Sequence, residues 1–238
     1  MLTDNEQLFL ELLNAARLDP LGEAARQGIG LNAGLPDPER GFGEISTAPT
    51  QALAPNAQIQ QAAADHGQWM LDTDTFSHTG EGGSSPGDRM VAAGYAAPNT
   101  FAWGENLALL TSAVAIDLTD AIRVHFDGLY ESPGHRENMF KPNFRETGIA
   151  QQAGVFTDQN ASSLTNKFGR SGSDVFLTGV IFDDTDFSGA YSVGEGRDAF
   201  AVSAAGATTT TWAAGGYSLA VSSNPAVSVT LGAGANAM

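Results

Sequence analysis

The sequence predicts an α+β protein, with helices in most of the first 170 residues and short strands in the remainder. Apolar residues recur every three or four positions in several segments before residue 130, which is the spacing of one helix face. Beyond about Arg170 the chain consists of short β-type runs separated by Gly, Asp and Asn. Because the helices and strands are segregated, we predict two domains, residues 1–170 and 171–238.

The first predicted helix runs from Glu6 to Arg17, with Asp4 placed to cap its start. Residues 28–55 are rich in Gly and Pro and are expected to form a long surface loop. Further helices are predicted over residues 56–72, 90–94 and 113–130, followed by strands over 147–154 and 163–169. The C-terminal β runs are predicted over 174–182, 199–206, 208–222 and 226–231.

Composition excludes several classes of function. Lys and Arg total 11 against 27 Asp and Glu, a formal net charge of −16, which repels phosphate backbones and argues against a nucleic-acid partner. No apolar run approaches the roughly 20 residues of a membrane span. The chain has no cysteine, so a metal site must use His, carboxylate or other oxygen ligands.

Two of the four histidines lie in segments with unusual neighbouring residues. His78 is in "FSHTG" and His135 is in "ESPGHREN", just past a Pro-Gly pair expected to close the preceding helix as a turn. Between them, Glu105 lies in "WGEN". Two imidazoles with carboxylates suit zinc or a similar divalent ion. The alternative is that these are ordinary surface histidines, since a separation of 57 residues has no motif geometry.

Three segments resemble successive signatures of the CAP superfamily, the sperm-coating-protein or pathogenesis-related-1 type domain, in its bacterial form. They are "FSHTG", "WGENLA" and "SPGHRENMFKPNFRETGIA", and "LLNAARLDP" fits the opening helix of that family. The resemblance spans roughly residues 4–170. It implies an α-β-α sandwich, with a three- or four-stranded antiparallel sheet between helices, and a shallow cleft lined by two His and two Glu.

Carried over by position, the resemblance places the histidine pair on His78 and His135 and the first glutamate on Glu105. The nearest candidate for the second glutamate is Glu131, although a shift of one residue would place Ser132 there. In such a cleft the histidine pair can hold a divalent cation. The other two histidines, His66 and His125, are interpreted as solvated or packed side chains.

A second constellation lies in "DDTDFSGAYSVGE", residues 183–195. Numbered from Asp184, the stretch follows the EF-hand calcium-loop pattern D-x-D-x-S-G-x5-E. The predicted Ca²⁺ ligands are Asp184, Asp186, Ser188, the Ala190 carbonyl, Ser192 through a water, and Glu195. A solvated acidic turn is the alternative, but it does not explain the spacing of Gly189 and Glu195. The flanks are β-type rather than helical, and residues 171–231 resemble calcium-bearing β-sandwich modules of the B-type repeats of bacterial adhesins.

These observations predict a secreted bacterial CAP-domain protein that binds a small-molecule, lipid or cell-surface ligand outside the cell. The N-terminal residues form an amphipathic pattern rather than a signal peptide, so export would use a signal outside this chain or at its C-terminus. Two alternatives stay open. One is a metal-dependent hydrolase with a glutamate as general base. The other is an adhesive or structural protein held to a surface by its β module.

Overall fold

A sheet with helices on both faces forms the N-terminal part of the chain. The computed structural model describes residues 1–95, 102–221 and 228–232. Its helices are α1 (Asp4–Leu18), α2 (Pro20–Gln27), α3 (Ala57–Asp72), α4 (Pro86–Ala92), α5 (Leu118–Glu131) and α6 (Pro133–Phe140). Its strands are β1 (Ala54–Pro55), β2 (Ala102–Ser112), β3 (Glu146–Phe156), β4 (Gln159–Arg170), β5 (Val175–Val180), β6 (Ala201–Ala204), β7 (Ala207–Thr210), β8 (Gly216–Val221) and β9 (Val229–Gly232).

Alternate side chains of β3 face the two helical layers on opposite sides of the sheet. Gly148 and Gln152 face α3: a Cβ on Gly148 would lie 2.4 Å from the backbone of α3, and Gln152 donates to the Ala64 carbonyl. Ile149 and Gln151 face the opposite layer, where Ile149 joins the core with α1, α5 and α6. This arrangement confirms the predicted α-β-α sandwich. No helix among the described residues is long and apolar enough to cross a membrane.

The strand order β1-β3-β4-β2 fixes the neighbours of the cleft residues. β2 and β4 pair antiparallel, with Glu105 directly opposite Lys167. Directly opposed residues project from the same face of a sheet. The register therefore brings a carboxylate and an ammonium group together from positions 62 residues apart in the sequence.

Two buried arginines fasten the long loop between α2 and α3 to the core. Arg17 donates to the Gln51 carbonyl at 2.8 Å, and Arg136 donates to the Leu31 carbonyl at 2.9 Å. Both side chains are fully buried. Backbone carbonyls of the loop accept from both cations, so the Gly- and Pro-rich loop, predicted as a surface segment, is held to the core near both of its ends.

Several element boundaries differ from those predicted. Thr3 caps α1 through a capping box with Glu6, so Asp4 is the first helical residue rather than the cap. α5 begins at Leu118 because the Asp117 side chain accepts from the first-turn N–H groups. The Pro-Gly pair is not a turn: Pro133 opens α6, where a proline lacks only an N–H that has no helical partner.

The C-terminal part forms two small sheets, β5-β8 and β7-β6-β9. Tyr191 from this part is buried in the same hydrophobic cluster as Leu10 and Leu13 of α1. Trp212 donates its indole N–H to Gln7 of α1 at 3.1 Å. The division at residues 170 and 171 stays a prediction. Part of the predicted run 226–231 lies outside the described residues.

Candidate functional site

A cleft of about 620 Å³ opens beside the N-terminal end of β2. His78, Glu105 and His135 all line it, although they come from a loop, a strand and a helix. Trp103 and Phe42 contribute aromatic walls. The structure thus brings together three of the four residues predicted for the cleft.

Three basic side chains beneath this cleft contact the carboxylate of Glu105. Its side chain is 1% exposed and accepts from His78 Nδ1 at 2.9 Å. Arg89 pairs with it at 3.0 Å, and the fully buried Lys167 ammonium contacts the same carboxylate oxygen. Burial alone would raise the pKa of Glu105, but the hydrogen bond from His78 and the charge of Lys167 outweigh it and lower the pKa to about 2. Glu105 is therefore an anion at neutral pH.

The bond to Glu105 selects the tautomer of the neutral His78 ring. A carboxylate can only accept, so Nδ1 of His78 carries a proton, and in the neutral ring Nε2 bears the lone pair. The His78 side chain is 55% exposed, which leaves it open to the cleft. Glu105 thus orients this imidazole from behind, as carboxylates do for metal-binding histidines.

His135 is held through its backbone. Asn106 donates to the His135 carbonyl at 2.9 Å, and Asn138 donates to the Asn106 side chain at 3.0 Å. These contacts tie the strand β2 to the helix α6. Burial, with a smaller effect from His78, lowers the pKa of His135 below its usual range, so the ring is neutral and has a free lone pair.

Glu131 does not join the other three residues. It is exposed at the last position of α5 and is not among the residues that line the cleft. Its backbone carbonyl accepts from Arg136 at 3.2 Å. The neighbouring Ser132, which the alternative alignment indicated, does line the cleft.

The remaining histidines are packed. His66 bonds through Nε2 to the Ser77 carbonyl at 2.9 Å, and His125 bonds through Nε2 to the Ser162 hydroxyl at 2.9 Å. Both rings are buried. Burial lowers the pKa of each to about 4.

The acidic loop brings three predicted ligands together. Oxygen atoms of Asp184, Asp186 and Glu195 lie within 4.8 Å of one another, the one such group of three or more His, Asp or Glu side chains in the described part of the chain. Gly189 has a φ of 75° at the bend, which a residue with a side chain rarely adopts. An antiparallel bridge between Phe182 and Gly196 closes the base of the loop.

Hydrogen bonds inside the loop already hold these carboxylates. Glu195 accepts from the backbone N–H groups of Thr185 at 2.8 Å and Ser192 at 3.0 Å. Ser192 Oγ donates to Asp186 at 2.7 Å, and the Ala190 carbonyl accepts from Ser188 Oγ. Burial opposes ionisation of Glu195, yet hydrogen bonds from the Thr185 hydroxyl and from the backbone N–H groups keep its pKa below the usual range. The mutual repulsion expected for the three carboxylates is partly offset.

An α-β-α sandwich with a histidine-lined cleft defines the class of this protein. Residues 10–153 match the family model described as CAP, the cysteine-rich secretory protein family. The match covers more than half of the chain, so the protein belongs to the CAP family, although it contains no cysteine. No curated protein matches its sequence.

Three solved structures are similar to the chain. One is an extracellular protein containing an SCP domain from Bacillus anthracis str. Ames, with 22% identity, a TM-score of 0.43 and coverage of 70% of this chain and 40% of that one. An outer surface protein of Borrelia burgdorferi has 17% identity, a TM-score of 0.38 and coverage of 52% and 80%. NaASP2, crystallised with Zn²⁺, has 15% identity, a TM-score of 0.45 and coverage of 72% and 82%.

Proposed function

We propose that this CAP-family protein acts outside the cell by binding, with a divalent cation in the histidine cleft and a small amphipathic, lipid-like molecule as ligand. The proposal includes a calcium ion in the acidic loop. One observation carries the ligand proposal: His135 and Ser132 line both the polar cleft and a second, apolar cavity. A polar head and an apolar tail would therefore have adjacent places on the surface.

The donor atoms of the cleft suit a zinc-like cation. Neutral imidazoles are common zinc ligands, and His78 Nε2 and the ring of His135 are the two candidates. Glu105 is already bound to His78 Nδ1, so it would position that ring rather than ligate. A bound cation would act as a Lewis acid that attracts the oxygen atoms of a polar head.

The apolar cavity has a volume of about 340 Å³ and runs between β2 and α5. Its walls are mostly aliphatic and aromatic: Leu107, Leu109, Val124, Leu129 and Phe76. Val124 and Phe76 are 53% and 45% exposed. Covering such side chains with an alkyl chain would contribute about 25 cal/mol for each Å² of apolar surface removed from water.

A hydrolase is less well supported by the same geometry. Catalytic zinc has about three protein ligands, and in the described part of the chain His78, His135 and Glu105 do not form a cluster with all ligand atoms within 4.8 Å. Two imidazoles without a third protein ligand therefore favour binding over catalysis.

Elemental analysis by mass spectrometry would test the cation. We expect zinc or another transition metal in the wild-type protein and its loss in the double variant His78→Ala, His135→Ala. Glu131→Gln provides the matched control, because Glu131 lies outside the cleft lining, and should retain the metal. Equal metal content in the wild type and the double variant would contradict the proposal.

Titration with a fluorescent fatty acid would test the ligand. Val124→Glu places a charge in the apolar cavity and should weaken binding at least tenfold. Val114→Glu is the matched control, since Val114 is 71% exposed and does not line the cavity. Equal binding by both variants would exclude the cavity as the site of the alkyl chain.

A further inference from the structure

A short hairpin in the loop between α2 and α3 forms one wall of the histidine cleft. Asp37 and Phe42 exchange two backbone hydrogen bonds of 2.9 Å, and a Cβ on Gly134 at the start of α6 would lie 2.5 Å from the Phe42 ring. The hairpin is therefore packed against the helix that holds His135. Its turn places Arg40 in the lining of the cleft.

Among the described residues, the Arg40 guanidinium has no hydrogen-bond partner. Its ionic contact is with Asp37 at 3.6 Å, and 76% of the Arg40 side chain is exposed. Exposed pairs of this kind contribute little, so a ligand can replace Asp37 at small cost. The neighbouring Glu39 does not line the cleft. Arg123 of α5 is also exposed, but it lines neither the cleft nor the apolar cavity.

Positive charge exceeds negative charge around the cleft, although the whole chain carries a net charge of −16. Arg40 and Asp37 line the cleft, and so does Glu105. Arg89 and Lys167 pair with the Glu105 carboxylate from beneath. Three cations thus face two carboxylates, and a divalent cation on the two histidines would increase the excess.

The chemistry of Arg40 selects the kind of polar head that the cleft can hold. A guanidinium offers five N–H donors and no acceptor, and its fork matches two oxygen atoms of a carboxylate or phosphate. An ammonium head would be repelled by the excess positive charge. A hydroxyl head would gain a hydrogen bond without an attraction between charges, and bonds between charged partners are the stronger ones. The cleft therefore favours an anion.

We infer that Arg40 selects an anionic head group, a carboxylate or a phosphate, for the ligand of the histidine cleft. The inference rests on the proposed function for the tail of that ligand, which would occupy the apolar cavity that shares His135 and Ser132 with the cleft. The contact between Arg40 and the anion needs the cleft alone. It can therefore be measured with anions that have no tail.

Nitrogen-15 NMR would test the anion without a tail or a bound cation, on protein freed of metal with a chelator and then dialysed. During titration with acetate and with inorganic phosphate at constant ionic strength, we expect saturable shifts of Arg40 Nε and of the Trp103 indole, which lines the cleft. The indoles of Trp69 and Trp212 belong to residues outside the cleft lining and should not shift. No shift of Arg40 Nε up to about 100 mM, the range of weak binding, would overturn the inference.

Octanoate and octyl phosphate, compared with octanol by calorimetry, would test the head group on a common tail. We expect both anions to bind at least tenfold more tightly than octanol. Arg40→Gln should weaken the binding of the anions at least tenfold and leave octanol unchanged. Arg123→Gln is the matched control, because it removes the same charge from an exposed position outside the cleft, and it should bind all three ligands as the wild type does.

The possible results separate this inference from the proposed function. Equal binding of octanoate and octanol, or equal weakening by Arg40→Gln and Arg123→Gln, would overturn the role of Arg40 while a lipid-like ligand remained. Shifts with acetate or phosphate, without tighter binding of octanoate than of acetate, would support the anion at Arg40 and contradict the lipid-like ligand.

Discussion

At the scale of single residues, Glu105 compensates the buried charges beneath the cleft. Lys167 is fully buried and contacts its carboxylate, and Arg89 pairs with it at 3.0 Å. Glu105→Gln would leave the Lys167 ammonium without a counter-charge. Because breaking a buried ion pair from one side costs about 3–5 kcal/mol, we expect a loss of that order in the free energy of unfolding, measured by urea denaturation.

An exposed ion pair gives the control for this prediction. Asp127 pairs with Arg26 at 2.8 Å, and each side chain is 49% exposed, so Asp127→Asn should cost less than about 1 kcal/mol. Adding Lys167→Met to Glu105→Gln should restore part of the lost stability, because it removes the uncompensated charge. A loss below 1 kcal/mol for Glu105→Gln would show that Lys167 finds another way to be neutralised.

The sequence revealed only part of this residue-scale arrangement. His78, Glu105 and His135 stand in local motifs, so they could be predicted. Lys167 could not be, because its contact with Glu105 depends on the register of β2 and β4, and β2 was not predicted. A single lysine within the strand-like run "SLTNKFG" was the one available signal of a buried charge pair.

At the scale of elements, the sequence predicted helices correctly where apolar residues recur at regular spacing. The helix predicted over 56–72 matches α3, which begins after its cap Asn56 and ends at Asp72. The strand β2 was not predicted, because "AWGENLALLTS" mixes polar and apolar residues without strict alternation. The helix α6 was not predicted, because Pro-Gly is also a common turn pair. Only the structure shows that Pro133 occupies the first helical position, so that this pair begins a helix.

The acidic loop is the element whose calcium dependence can be measured. If it binds calcium, the ion should raise the free energy of unfolding by about 2.7 kcal/mol at a concentration 100 times its Kd. Asp184→Asn should remove most of this gain, since it takes one charge from the group of three carboxylates while an amide oxygen can still accept from Gly189 N–H. Thermal unfolding in calcium and in chelator would measure both.

The adjacent aspartate provides the matched control for the loop. Asp183 is 63% exposed and pairs with Arg197 at 3.4 Å, outside the group of three. Asp183→Asn should therefore keep the calcium-dependent gain. Identical melting curves of the wild type in calcium and in chelator would refute a calcium site, and would indicate that the hydrogen bonds to Glu195 suffice to hold the loop.

At the scale of the whole molecule, the C-terminal part is joined to α1 through a buried polar contact. Gln7 accepts from the Trp212 indole at 3.1 Å and donates to Glu11 at 2.6 Å. Burial raises the pKa of Glu11 from 4.5 to about 7, although the bond from Gln7 opposes this rise. Burial, and to a smaller extent the Glu11 charge, raise the pKa values of Tyr191 and Tyr217 of the C-terminal part. A carboxyl group with a raised pKa therefore lies at the junction of the two parts.

The sign of the resulting pH dependence follows from linkage. A group whose pKa is raised in the folded state contributes stability that is complete below pH 4.5 and is lost as the pH rises towards 7. A shift of one pKa unit corresponds to about 1.4 kcal/mol, and the interval from 4.5 to about 7 spans more than two units. Because Glu11 is half-buried, solvent screening reduces the total, and we expect a loss of about 1–2 kcal/mol. Glu11→Gln should remove this loss, so its free energy of unfolding relative to the wild type should rise by that amount between pH 5 and pH 8. The lowered pKa values of His66 and His125 act in both proteins and cancel in the difference.

Glu44→Gln is the control, because it removes the same charge at an exposed position. Its free energy of unfolding relative to the wild type should be the same at pH 5 and pH 8. If the value for Glu11→Gln is also the same at both pH values, Glu11 is ionised in the folded protein over this whole range and its pKa is not raised.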